Sequence, residues 1–292
     1  MGAVSSGLTN SGFTVFFLPI RRELVISATA MSLVFSLARA QSGIAAPFVG
    51  WLADKFGTRR LVLWGGLLTG VGLILLSRGS SIWHLLLLYG VVVAVGRTAS
   101  VSPTLMATVN QWFVRRKALA MSILVTSFTI GGAALVPILA LANTQIGWRN
   151  TILGSGMFLF LLTLPVVLVL RNRPEELGLY PDGDGPMDQT QPAQGESVGA
   201  SQVFSVRQAM TTPAFWLLLI GLVLRVSAAD ALVIHQIPML VWKGVSEQTA
   251  AFYLSLSFAL MVPLRLALGV SGGYLSPRLI LFAAMSVGAL GT

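Results

Sequence analysis

Apolar residues occupy this chain in long runs, and polar residues are confined to the gaps between them. A hydrocarbon core about 30 Å thick is crossed by about 20 apolar residues in a helix. By that measure nine apolar segments stand out: residues 5–20, 28–52, 61–76, 82–109, 118–141, 151–170, 214–241, 249–270, and a last one from Leu279 to Thr292. Water cannot satisfy backbone N–H and C=O groups inside lipid, so runs of this kind must fold as helices packed in a bundle. The composition agrees. Only 10% of the residues are charged and 55% are hydrophobic, where a soluble domain carries about 25% charged residues. Mean hydropathy is +0.81. The fold class is all-α and integral to a membrane.

The first segment is short and polar for a span. The last is too short to cross, so the chain reads as truncated at its C-terminus. The net charge of +9 does not point to nucleic acid, because the cations cluster in short loops. Lys55, Arg59, Arg60, Arg115, Arg116, Lys117, Arg171, Arg173, Arg207 and Arg278 fall on one side. Arg21, Arg22, Arg78, Arg149 and Lys243 fall on the other. The positive-inside rule then places the N-terminus in the cytoplasm, as for a plasma (inner) membrane protein. Trp83, Trp112, Trp148 and Trp242 lie near span ends, where an interfacial belt is expected.

Residues 171–207 are rich in Pro, Gly, Gln and Asp and read as a cytoplasmic linker. The expected division is 1–170 as a six-helix half, 171–212 as the central loop, and 213–292 as part of a second half. A shift of 219 residues lays Ser36-Leu37 on Ser255-Leu256, Ala40 on Ala259, Gly50 on Gly269 and Arg59 on Arg278, a sparse internal repeat. There is no cysteine, and His84 and His235 form no metal motif. The opening Met1-Gly2-Ala3-Val4-Ser5-Ser6 fits a myristoylation pattern but reads more simply as the start of a helix. Phosphate-binding loops, zinc-protease motifs and nucleophile elbows are missing from the sequence, so an ATP-driven pump or hydrolase is unsupported. No cofactor is expected.

Between the second and third apolar runs lies Gly50-Trp51-Leu52-Ala53-Asp54-Lys55-Phe56-Gly57-Thr58-Arg59-Arg60. A loop this short between spans must be a tight hairpin at the membrane surface. Gly50 is expected to permit close helix approach and Gly57 a tight turn, with Arg59 and Arg60 facing anionic headgroups. This stretch resembles the loop 2–3 signature of the major facilitator superfamily. The segment Trp112 to Met121, Gly147-Trp148-Arg149, and Arg173 to Gly183 resemble its monocarboxylate and oxalate/formate porter members. The resemblance implies a major facilitator fold of twelve spans in two halves. The first half would be complete here and about three helices of the second present. It also implies that Gly50, Asp54, Lys55, Gly57, Arg59 and Arg60 form a gating latch. In the second copy Asp54 is replaced by Gly273 and Gly57 by Ser276.

Ionisable residues inside spans are rare and usually functional. Arg39, Arg97, Arg225, Asp230 and Arg265 are such residues. The family's spans one, four, seven and ten line its cavity. Arg97 and Arg225 would then offer charge to an anion, and a guanidinium can clamp a carboxylate with two hydrogen bonds. Arg225 and Asp230 are five residues apart, so they do not share one narrow helix face. Asp230 could neutralise an arginine or carry a coupling proton, and Arg39 could pair across helices or border the cavity. Arg265 matches an arginine of the monocarboxylate transporters, whose acid one turn earlier is Met261 here. His235 could serve as a pH-sensitive gate, but reads more simply as a hydrogen-bonded helix residue. Gly131 and Gly132 with Pro137, Gly154 and Gly156, and Pro263 look like close-packing or bending sites.

The resemblance implies a secondary transporter moving a small organic anion by alternating access, coupled to protons or exchange, with Arg97, Arg225 and Arg265 binding it. The expected partners are the lipid bilayer, the anion and protons. The alternatives are a non-transporting membrane sensor or interaction protein, an incomplete product, and a major facilitator of another substrate class.

Overall fold

The computed structural model describes residues 1–114, 117–179 and 210–271, and these residues are helical with short connections. Helix α1 spans residues 2–23, α2 Ala28–Phe56, α3 Thr58–Leu76, and α4 Ile82–Trp112. A continuous helical stretch, Lys117–Val169, turns at Gly147 (φ 78°) and is described as α5 (residues 117–146) and α6 (residues 148–169). Helices α7 (Pro213–Trp242) and α8 (Glu247–Ser271) follow. Arg115, Arg116, most of the expected linker, the second hairpin copy at Gly273, Ser276 and Arg278, and the ninth segment lie outside the described residues.

The first span is longer than its apolar run. Two of its buried polar side chains are turned onto their own helix: Thr9 Oγ1 donates to Ser5 O at 2.6 Å and Thr14 Oγ1 to Ser11 O at 2.6 Å. Back-bonded hydroxyls of this kind let a polar sequence enter a packed bundle. Three stretches depart from α geometry: a π turn at Gly7–Ser11 and a 3₁₀ turn at Gly12–Phe16 in α1, and a second π turn at Leu85–Val93 in α4. Helix α4 also breaks at Val101, where Pro103 restarts it. Helix α2 starts on Ser27, whose hydroxyl accepts from Ala30 N at 3.1 Å.

Large apolar side chains face outward, among them Trp64, Trp83 and Leu168, as expected where lipid replaces water. Glycine-to-backbone contacts hold the inner faces together. A Cβ at Gly131 would lie 1.8 Å from Ala3 O, which brings α1 directly against α5. Gly156 is pressed against Gly70 O in the same way, and Gly132 is also closely packed. The expected close approach at Gly50 needs correction, and at Gly154 the close-packing alternative does. A Cβ at Gly50 or at Gly154 would meet nothing within 4 Å, so among the described residues neither is a close-approach site. Trp148 is a third departure. It is buried, not interfacial, and its indole N–H donates to the Glu23 carboxylate.

Candidate functional site

A cavity of about 710 Å³ opens between α1, α2, α4, α5, α7 and α8. Its polar lining includes Asn10, Arg39, Ser42, Arg97, Asp230 and Arg265, and its apolar lining includes Phe35, Phe128, Phe258 and Met261. Four of the five in-span charges expected from the sequence therefore meet in one place. Arg225 is not in this lining and is exposed on α7. The spacing that separates it from Asp230 around the helix accounts for this.

Arg39 Nη2 donates to Asp230 Oδ1 at 3.1 Å, joining α2 to α7. Arg97 is held differently. Its Nη2 donates to Ser42 Oγ at 3.0 Å and its Nη1 to Asn10 Oδ1 at 3.4 Å. Both acceptors are neutral. Arg265 Nη1 donates to the backbone carbonyl of Val125 at 3.4 Å. So, among the hydrogen bonds of the described residues, Arg39 faces a carboxylate, whereas Arg97 and Arg265 face neutral oxygens. Asn10 and Ser42 are cavity residues bonded to Arg97 that the sequence reading missed. For Asn10 the signal was present in the unusual polarity of the first span, but nothing local links either residue to Arg97.

Beyond the cavity, His235 Nε2 lies 3.5 Å from Ser32 Oγ, and its ring meets Phe17 edge-on. Past it, at the end away from the hairpin, Arg22 of α1 pairs with Glu247 of α8, and Gln248 donates to Thr144 Oγ1 at 3.2 Å. Glu23 also accepts from Arg149 Nε at 2.9 Å. Burial raises the pKa of this carboxyl, but the hydrogen bonds from Trp148 and Arg149 and the Arg149 charge outweigh it, leaving the value below the ordinary one.

At the opposite end, the hairpin turns on Gly57 at φ 82°. Asp54, Lys55 and Arg60 are exposed, and Lys55 Nζ sits 5.0 Å from the Trp51 ring centre. Arg59 does not face outward as expected. Its backbone N donates to Asn172 Oδ1 and its Nε to Val167 O, both at 2.9 Å. Asn172 Nδ2 in turn donates to Glu176 Oε1 at 3.0 Å. These contacts tie the hairpin to the end of α6, because the first free N–H groups of α3 and the last free carbonyls of α6 need partners.

The sequence profile of the Major Facilitator Superfamily matches residues 1–292. The chain belongs to this superfamily. It is a multi-pass membrane protein with the all-helical fold of the group. It is similar to the MFS transporter asaE of Aspergillus flavus, 36% identical over 47% of this chain and 31% of that protein. It is also similar to monocarboxylate transporter 13 of Bos taurus, 31% identical over 60% of this chain and 40% of that protein. Monocarboxylate transporter 12 of Rattus norvegicus is 26% identical over 83% of this chain and 52% of that protein. The chain thus spans about a third to a half of the length of these relatives.

Proposed function

We propose that the protein is a secondary transporter that moves a small monocarboxylate-like anion by alternating access between residues 1–170 and the half that begins at residue 213. The observation that carries this reading is Arg97. A guanidinium in a membrane-spanning bundle is costly without a counter-charge, and Arg97 is bonded here to a hydroxyl and an amide oxygen. A substrate carboxylate completes the arrangement by accepting from its remaining N–H groups. Arg265 supplies a second cation on α8. Arg225, away from this lining, is assigned to a position contacted at another stage of the cycle. The similarity to monocarboxylate transporters 12 and 13 supports the substrate class.

The Arg39–Asp230 pair is the candidate for coupling. A proton on Asp230 would release Arg39 and loosen the bond between α2 and α7. The hairpin, with Gly50, Asp54, Lys55, Gly57, Arg59 and Arg60, is the candidate latch. It is placed in the cytoplasm of a plasma-membrane protein whose N-terminus is also cytoplasmic. The test is uptake of labelled lactate, pyruvate and oxalate by the purified protein in liposomes, with and without a pH gradient. Saturable uptake of at least one anion, lost in Arg97→Gln, is expected. Uptake of sugars or drugs in place of all the anions overturns the assignment.

A further inference from the structure

The two π turns face each other beside Arg97. The ring of Tyr89, in the π turn of α4, stacks on Phe13 with centroids 3.7 Å apart, and its hydroxyl donates to the Thr9 carbonyl at 2.9 Å. Thr9 belongs to the π turn of α1, and the next residue is Asn10. A π turn shifts the helix register, so carbonyls there need new partners and side chains point in new directions. Here the Thr9 carbonyl accepts from Tyr89, and the side chain of the next residue, Asn10, accepts from Arg97. The turn is also confined from behind, since a Cβ at Gly7 would lie 2.4 Å from Gly131 O. On the other side of Arg97, the Ser42 hydroxyl donates its only proton to Ala38 O at 2.8 Å. Its lone pairs are left to accept from Arg97 Nη2.

We infer that Asn10 and Ser42 are positioning residues for anion recognition, fixing the Arg97 guanidinium between two neutral acceptors, and that Tyr89 holds the π turn that presents Asn10. This rests on the reading of the cavity as an anion site. An arginine has five N–H donors. Two neutral acceptors restrict its rotation without cancelling its charge, and the other donors stay available to the cavity. An acid at either position would fix the geometry equally well but remove the charge that an anion needs. The arrangement therefore selects for an anionic ligand as well as orienting the arginine.

The test compares Asn10→Ala, Asn10→Asp, Ser42→Ala, Ser42→Thr and Tyr89→Phe with the unmodified protein in the liposome assay, using whichever of lactate, pyruvate and oxalate enters fastest. Loss of one hydrogen bond to a charged group raises KM about tenfold, with Vmax per folded transporter within about twofold. That result is expected for Asn10→Ala and Ser42→Ala. Ser42→Thr, which keeps the hydroxyl, retains the original KM. Asn10→Asp, nearly the same shape, loses saturable uptake while its melting temperature is kept. Tyr89→Phe raises KM less than Asn10→Ala does. An unchanged KM in both alanine variants, or normal uptake by Asn10→Asp, overturns the positioning role. If the unmodified protein takes up none of the three anions, the anion reading itself falls and this inference falls with it.

Discussion

Arg39 on α2 and Asp230 on α7 form an ion pair at 3.1 Å across the wall of the cavity. Their side chains are 38% and 30% exposed, so solvent in the cavity screens the pair. Its contribution to stability is then about 1 kcal/mol or less. The proposed coupling role rests instead on its position, because the pair joins α2 to α7 across the cavity. Asp230→Asn is predicted to lower the melting temperature only slightly. It should abolish the response of anion uptake to a pH gradient while leaving exchange of labelled for unlabelled anion intact. Gradient-driven accumulation by this variant would sink the coupling role.

Glu23 carries a pH dependence whose sign follows from its surroundings. The Trp148 N–H and the Arg149 guanidinium favour its charged form and hold its folded pKa below the ordinary value of 4.5, despite some opposition from burial. A carboxyl with a depressed folded pKa contributes stability above its unfolded pKa, and that contribution is lost as pH falls through the folded value. Arg149 also donates to Ser77 O and Gly79 O, both at 2.9 Å, so the cluster joins α1, α6 and the α3–α4 connection. Melting curves of the unmodified protein and Glu23→Gln should differ at pH 7 and converge well below pH 4.5. An equal difference at both pH values would show that the charge of Glu23 is not what matters.

The hairpin end is tested through a cap supplied from a distance. Asn172 Oδ1 accepts from Arg59 N, in the first turn of α3, as an N-cap side chain would. Asn172→Ala should destabilise the protein by about 1 kcal/mol. Gly57→Ala should cost at least as much, since φ is 82° there and a Cβ would lie 2.7 Å from Asn172 Oδ1. Because the Cβ clash is with Asn172, combining the two substitutions should give less than the sum of the separate losses. A strictly additive double variant would place the strain elsewhere.

The spans were legible in the sequence because long apolar runs admit one solution in lipid. The charged positions were legible because an arginine in such a run needs a reason. What Arg97 touches was not. Its partners, Asn10 and Ser42, are 87 and 55 residues away in sequence, and a polar residue in a span reads equally well as a back-bonded one. Ser42 is in fact both, since it also donates to Ala38 O. Trp148 failed for the same reason. Its position near a span end fits an interfacial tryptophan, and only its pairing with Glu23, 125 residues away, explains why it is buried. Glycines were the least legible. Gly131 and Gly154 look alike in the sequence and differ entirely in what surrounds them.

That difference gives the sharpest stability test. A methyl group at Gly131 would overlap the backbone carbonyl of Ala3, which cannot rotate away as a side-chain tip could. Gly131→Ala must push α1 off α5 and is predicted to cost upwards of about 3 kcal/mol. The displacement would also move the π turn of α1, which packs on the same helix through Gly7. Anion affinity should therefore fall along with stability. Gly154→Ala fills open space within α6 and removes a flexible residue from a helix interior. It should raise stability by about 0.5–1 kcal/mol and leave uptake unchanged. Melting temperature and folded yield in detergent, measured side by side, decide the matter. Similar behaviour of the two variants would mean that α1 is not seated on α5 as described.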